Sequence, residues 1–282
     1  MKLAHVSHEG RRRWGLVDTE SGTVTPVVGT IEDWGPALTL DGTEPTLDGA
    51  AIPLAEVTFL LPIVPTSTIV GVGMNYWSHL RKLGVTERPP STIGYLKPRT
   101  AMVAHEEQIT YSALTEQLDF EVELVAIIGA PEVPFGHPTD AVLGYTVGND
   151  VSARDAAAPP FGGLDLFTIK ALDRSTPLGP WITTKDELGG GPQPDLEISL
   201  RVNGEGRQLD RTSNMLFTID ECIQYVLERM SLTTGDVVFT GTTDGVGMED
   251  GRFLQPGDLV EAEVSGIGVL RNTVGSHQPR RQ

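Results

Sequence analysis

Apolar residues in this chain fall in short runs broken by glycine- and proline-bearing turns, the pattern of short strands rather than long helices. Lys2 to Ser7 and Trp14 to Asp18 read as paired strands, with a turn at Glu20-Ser21-Gly22. Leu40 to Ala50 repeats Asp-Gly turns, carries little core and reads as a linker. From Val57 onward the pattern predicts strands at about 68–72, 121–128, 142–149, 180–184, 196–203, 236–241, 258–264 and 268–274. Helices are few. The clearest is Ile219 to Met230, opened by Thr218 and Glu221 in capping-box spacing. Its apolar face includes Ile219, Cys222, Ile223 and Val226, so Cys222 reads as core rather than as a nucleophile. The expected fold is mostly β or α+β. A small β-rich N-terminal domain (1–55) would precede a large domain (56–275), and 276–282 would be a frayed polar tail.

Composition narrows the function. The 282 residues carry a net charge of −17, which argues against nucleic acid or an anionic membrane as partner. It leaves an anionic small molecule open, because such a ligand feels the local site. The single cysteine permits no internal disulfide and no cysteine-based zinc site, and suits a reducing cytoplasm. The N-terminal residues lack the apolar core of a signal peptide, and no apolar stretch approaches the ~20 residues of a membrane helix.

The strongest chemical signal is Glu121-Val-Glu123, at the head of an apolar β-branched run. Residues two apart on a strand share a face, so two carboxylates stand side by side before a buried segment. Asp150 ends the next strand and would bring a third carboxylate to the same edge. Like charges so placed repel and raise each other's pKa, and a hard divalent cation with oxygen ligands removes the problem. The bland alternative is a solvated Glu-x-Glu face.

Other candidates gather around that core. His79 follows the strand and turn at Gly73 and has the chemistry of a general base; it is otherwise a surface histidine on a short helix. Arg154 lies four residues after Asp150, suited to a substrate carboxylate or else to a salt bridge with Asp155 or another nearby acid. Lys170 is a charge inside an apolar stretch, either snorkelling or buried against an anion. The glycine-rich loop Gly241 to Gly247 has backbone N–H groups able to hold an anion. The signatures of Walker loops, Rossmann turns, serine-hydrolase elbows and zinc proteases do not occur.

In their order along the chain these segments resemble the fumarylacetoacetate hydrolase family. The matching strings are Ile69-Val-Gly-Val-Gly-Met-Asn-Tyr76 with His79, Leu96-Lys-Pro98, Asp119-Phe-Glu-Val-Glu-Leu124 and Gly144-Tyr-Thr-Val-Gly-Asn-Asp-Val-Ser-Ala-Arg-Asp155. Pro177-Leu-Gly-Pro-Trp181, Val202-Asn-Gly204, Gly235-Asp-Val-Val-Phe-Thr-Gly-Thr242 and Gly257-Asp258 follow. The resemblance implies a mixed β-sheet roll, a homodimer, and Mg²⁺ or Mn²⁺ (Ca²⁺ as a stand-in) held by Glu121, Glu123 and Asp150. It also implies a small 2-oxo acid substrate. Arg154, Lys170, Thr242 and Tyr76 would bind that substrate, and His79 would activate water. The expected reaction is hydrolysis of a C–C bond in an acylpyruvate-like acid. Oxaloacetate-type decarboxylation, dienoate isomerisation or hydration, and non-catalytic oxo-acid binding are the alternatives.

Three positions depart from the family pattern. Lys82 stands where a glutamate follows the lid histidine by three residues, which leaves Glu106 or Glu107 as substitutes. Ala157, in the apolar run Ala156 to Phe161, replaces a glutamine, and Thr243 replaces the proline of a Gly-Thr-Pro. The metal half of the site therefore reads as intact and the acid–base half as altered.

Overall fold

The computed structural model describes residues 1–157 and 165–279. The chain opens with β1 (Lys2–His8), β2 (Arg11–Asp18), β3 (Thr23–Pro26), α1 (Ile31–Asp41), β4 (Ile52–Pro53) and β5 (Thr58–Phe59). Next come β6 (Ile69–Gly73), α2 (Trp77–Lys82), β7 (Ile93–Lys97), β8 (Met102–Val103), β9 (Gln108–Tyr111) and β10 (Leu118–Asp119). The middle of the chain holds β11 (Val122–Ile128), β12 (Val142–Asn149), β13 (Ser152–Ala153), α3 (Leu166–Lys170), β14 (Thr176–Thr184), β15 (Glu197–Val202) and β16 (Glu205–Arg211). It ends with α4 (Ile219–Leu227), β17 (Val237–Thr242), α5 (Gly247–Asp250), β18 (Leu259–Val264) and β19 (Gly268–His277).

A mixed 12-stranded sheet runs β4-β3-β2-β1-β14-β12-β11-β17-β6-β7, with β5 and β8 attached to its side. A second sheet, β16-β15-β18-β19-β9, covers one face. The β17–β6, β14–β8 and β19–β9 pairings are parallel and the remaining ladders antiparallel. The fold is thus mostly β with few helices, as its short apolar runs require. The N-terminal strands extend the large sheet, because β1 pairs with β14.

β11 shows why the centre is stable. Val122, Leu124, Ala126 and Ile128 face the core between the sheets, while Val125 and Ile127 face a second core beneath α1. Every residue of β11 is buried, which is why its sequence reads as an apolar run rather than an alternation. α4 packs Ile219, Cys222, Ile223 and Val226 onto the inter-sheet core under its Thr218–Glu221 capping box.

Several boundaries differ from expectation. α1 was not legible, because Gly35 and Pro36 interrupt it; the Thr30–Asp33 capping box and buried Ile31 and Trp34 hold it. It takes up Leu40 and Asp41 from the predicted linker, and Gly42 in the left-handed conformation ends it. α4 stops three residues short of Met230. β19 continues through His277, whose ring lies 3.9 Å from that of Tyr111, so order extends past the predicted tail boundary; 280–282 lie outside the described residues. No described helix is long and apolar enough to cross a membrane.

Candidate active site

The acids meet where β11 begins and β12 ends. Val122 pairs with Asn149, so the residues flanking that pair are brought together. Two bonds lock the crossing: the Glu121 N–H donates to Asn149 Oδ1 (2.9 Å) and the Asp150 N–H to the Glu121 carbonyl (2.8 Å). Glu121 and Glu123 follow the strand alternation onto the Val125 face. Oxygens of Glu121, Glu123 and Asp150 lie within 4.8 Å of one another, with residue exposures of 6%, 1% and 0%. The solvated-face alternative is therefore excluded.

Cations surround the cluster. Lys170, at the end of α3, donates to Glu121 Oε2 (2.7 Å) and Asp150 Oδ2 (2.6 Å). It is a buried, paired lysine rather than a snorkelling one. Lys97 on β7 pairs with Asp150 Oδ1 at 2.6 Å and donates to the Lys170 carbonyl at 2.6 Å. The Tyr95 hydroxyl donates to Asp150 Oδ2. Arg154 donates through Nε to Asp119 Oδ2 (2.8 Å) and through Nη2 to Glu121 Oε1. Its partners are these two acids. Asp155 is instead taken up by Thr115 and the amides of Glu116 and Gln117. Arg154 Nη1 makes no bond among the described residues.

These contacts set the charges. Burial alone would raise the Asp150 carboxyl, but Lys170 and Lys97 outweigh it and hold it below its usual range. Glu121 is likewise lowered, by Lys170 and Arg154 against burial. Glu123 goes the other way: burial, then the charges of Asp150 and Glu121, push it well up. Burial would lower the Lys170 ammonium, yet Asp150 and Glu121 keep it raised. Four acids (Asp119, Glu121, Glu123, Asp150) thus face three bases (Lys97, Arg154, Lys170), and Glu123 has no cation among the described residues. An all-oxygen, charge-deficient cluster of this kind fits a hard divalent cation.

The histidine expected to act as a base is joined to the cluster by the glycine-rich loop. His79 Nδ1 lies 3.0 Å from Glu249 Oε1 of α5, and both side chains are largely buried. Lys82 is exposed, and the expected substitutes are elsewhere: Glu106 beside His105, Glu107 on the Ala104 amide and Arg174. Glu249 is therefore the partner that the sequence left unassigned. The loop's N–H groups do hold anions, but the chain's own: Gly241 donates to Glu123 Oε2 (2.7 Å) and Gly245 to Glu249 Oε2 (2.9 Å). Gly241 needs its left-handed φ of 97°, and a Cβ there would come 2.7 Å from that of Asn75. Asp119 closes the circuit by accepting from the Gly247 and Met248 amides as well as from Arg154.

Two expected substrate residues differ in their surroundings. The Thr242 hydroxyl donates to the Val122 carbonyl (2.8 Å) and accepts from Gln208 Nε2 (2.9 Å). Tyr76 is fully buried, close enough to Glu123 and Asp210 to feel their charge, and its hydroxyl has no partner among the described residues. Ala157 is buried, and 158–161 of the apolar run lie outside the described residues. Sequence reading missed the structural part played by Gln208. It also accepts from the Val122 amide, so it staples the head of β11 to the loop. A buried Gln, Tyr or Lys on a distant strand gives no local pattern to find it by.

Fold and site together define a class of mostly-β proteins with a buried acid triad, an intercalated lysine and a histidine–glutamate pair. The fumarylacetoacetate (FAA) hydrolase C-terminal family model matches residues 68–275, and an Rv2993c-like N-terminal model matches residues 1–62. The chain belongs to the fumarylacetoacetate hydrolase family. It is 39% identical over 236 residues to an uncharacterized protein of Archaeoglobus fulgidus, covering 83% of this chain and 88% of that protein. Among solved structures it resembles a 5-carboxymethyl-2-hydroxymuconate delta-isomerase from Mycobacterium smegmatis (TM-score 0.81, 31% identity, 99% of this chain and 100% of that one). It also resembles a fumarylacetoacetate hydrolase from Exiguobacterium antarcticum (TM-score 0.81, 31% identity, 98% of this chain and 99% of that one).

Proposed function

We propose that the protein is a Mg²⁺- or Mn²⁺-dependent hydrolase that cleaves a C–C bond in a small acylpyruvate-like 2-oxo acid. The observation that carries this reading is the His79–Glu249 pair, tied through the Gly241–Gly247 loop to the acid triad. Glu121, Glu123 and Asp150 would hold the cation, which supplies Lewis acidity to a chelating oxo acid when bound. Arg154, with Nη1 uncommitted, binds the substrate carboxylate. Glu249 accepts from Nδ1 and so fixes the His79 tautomer that leaves Nε2 free to take a proton from water. Hydroxide adds to the distal carbonyl, the C3–C4 bond breaks, and its electron pair passes to the enol oxygen, where the Lys170 ammonium donates a hydrogen bond. The proton on His79 returns to C3, which balances the reaction.

A second reading, isomerisation of a dienoate, is favoured by the likeness to the Mycobacterium smegmatis isomerase across nearly the whole chain. Assays of acylpyruvate, oxaloacetate and dienoate substrates with Mg²⁺, and with EDTA as control, separate the cases. EDTA-sensitive acylpyruvate cleavage is expected. Turnover of the dienoate alone selects the second reading, and metal-dependent oxalate binding without turnover of any substrate selects a binder.

We propose a homodimer as well. Leu96 and Phe167 are 57% and 79% exposed, on β7 and the α3 helix packed against it. Apolar exposure of this kind suits burial against a second copy. Light scattering should give twice the 30.3 kDa chain mass, and a monomer at micromolar concentration would rule the dimer out.

A further inference from the structure

β7 sends two side chains to one carboxylate. Tyr95 and Lys97 are two apart and share a strand face. Tyr95 reaches Asp150 Oδ2 and Lys97 reaches Oδ1. β6 is shaped for the tyrosine. Gly71 pairs directly with Tyr95, and a Cβ on Gly71 would lie 2.2 Å from the ring Cζ and 2.6 Å from the hydroxyl oxygen. The ring therefore lies flat across bare backbone, and Lys170 Nζ sits 5.4 Å from its centroid. Any side chain at position 71 would displace the hydroxyl that points at Asp150.

We propose that Tyr95 is a positioning residue of the cation site: its hydroxyl, assisted by Lys97, keeps the Asp150 carboxylate in place when Lys170 turns from it to the substrate. This rests on the metal reading above. Lys170 and Tyr95 share Asp150 Oδ2. A cation entering the triad repels the Lys170 ammonium, and Asp150 then loses one of the two lysines that neutralise it. Lys97 remains, but its charge also opposes the incoming cation. Tyr95 is the uncharged donor in the set, so its bond survives metal entry without an electrostatic penalty.

The test is a titration of Mn²⁺ followed by electron paramagnetic resonance, with Tyr95→Phe and Tyr225→Phe beside the native protein. Tyr225 bonds the Gly94 amide of β7 (3.2 Å) without touching Asp150, so it controls for strand packing. Tyr95→Phe should weaken Mn²⁺ binding about 10- to 100-fold, as loss of a hydrogen bond to a ligand does, while the metal-free melting temperature stays near native. Tyr225→Phe should bind Mn²⁺ like the native protein. Native affinity in Tyr95→Phe, or an equal loss in both variants, would overturn the proposal. Absence of Mn²⁺ binding by the native protein would defeat the metal reading itself, a result distinct from both.

Discussion

The two halves of the site are anchored in different ways. The carboxylate half sits at the head of β11 and the end of β12, central strands buried on both faces, and is cross-linked by two buried lysines and the part-buried Arg154. The acid–base half rests on α2 and α5, a six-residue and a four-residue helix, joined by one histidine–glutamate contact. Isolated helices this short do not hold themselves. They stay in place through ties to the sheet: Asn75 donates to the Thr240 and Phe217 carbonyls, and Asp119 accepts from the α5 amides. The contrast would suit the proposed chemistry, since ligands to a cation must not move and a base must let substrate past.

The contrast can be broken first at its carboxylate end. Glu123→Ala should abolish divalent-cation binding while leaving the circular dichroism spectrum native; retained affinity by calorimetry would end the metal reading. Lys170→Met should lower the stability of the metal-free protein by about 3–5 kcal/mol in urea denaturation, because it removes the shared cation of a buried network and leaves Glu121 to Arg154 alone and Asp150 to Lys97 and Tyr95. Added Mg²⁺ should restore part of that loss, whereas the His79–Glu249 half has no such dependence.

Substitutions in the histidine–glutamate half should act on rate more than on fold. His79→Ala should cut turnover about 10²- to 10⁴-fold with oxalate affinity unchanged. Glu249→Gln should give a smaller loss in kcat at similar KM, since it disturbs only the tautomer and aim of the ring. Unchanged rates in both would remove the pair from the mechanism and favour a reaction without water attack. Lys82→Ala should be silent, within about 0.5 kcal/mol in stability and with native turnover. A large rate effect there would return the lid's orienting role to its own helix.

What could be read beforehand follows the same division. Glu121, Glu123 and Asp150 were legible because their convergence is set by strand alternation and one pairing, both local rules. Arg154 was placed at the site with a substrate carboxylate, Asp155 or another nearby acid as its partner; its acids are Asp119 and Glu121, and the β10–β13 pairing that brings Asp119 beside it is not written in the local sequence. Glu249 was hidden: it lies 170 residues from His79, and only the docking of α5 on Asp119 brings it there. The α1 helix was missed for the opposite reason, since its local signals, Gly35 and Pro36, oppose the structure that tertiary burial of Ile31 and Trp34 selects. Tyr95 gives no signal in isolation, and its meaning comes from Gly71 on the neighbouring strand.

The lodging of Lys170 between Glu121 and Asp150 carries one more consequence. The chain brings its own counter-ion, so on the metal reading a copy without an ion keeps Glu121 and Asp150 neutralised, and Glu123 alone of the triad is left without a cation among the described residues. Loading and unloading would then rearrange positive charge inside a finished scaffold, and scarcity would leave the protein idle rather than lost.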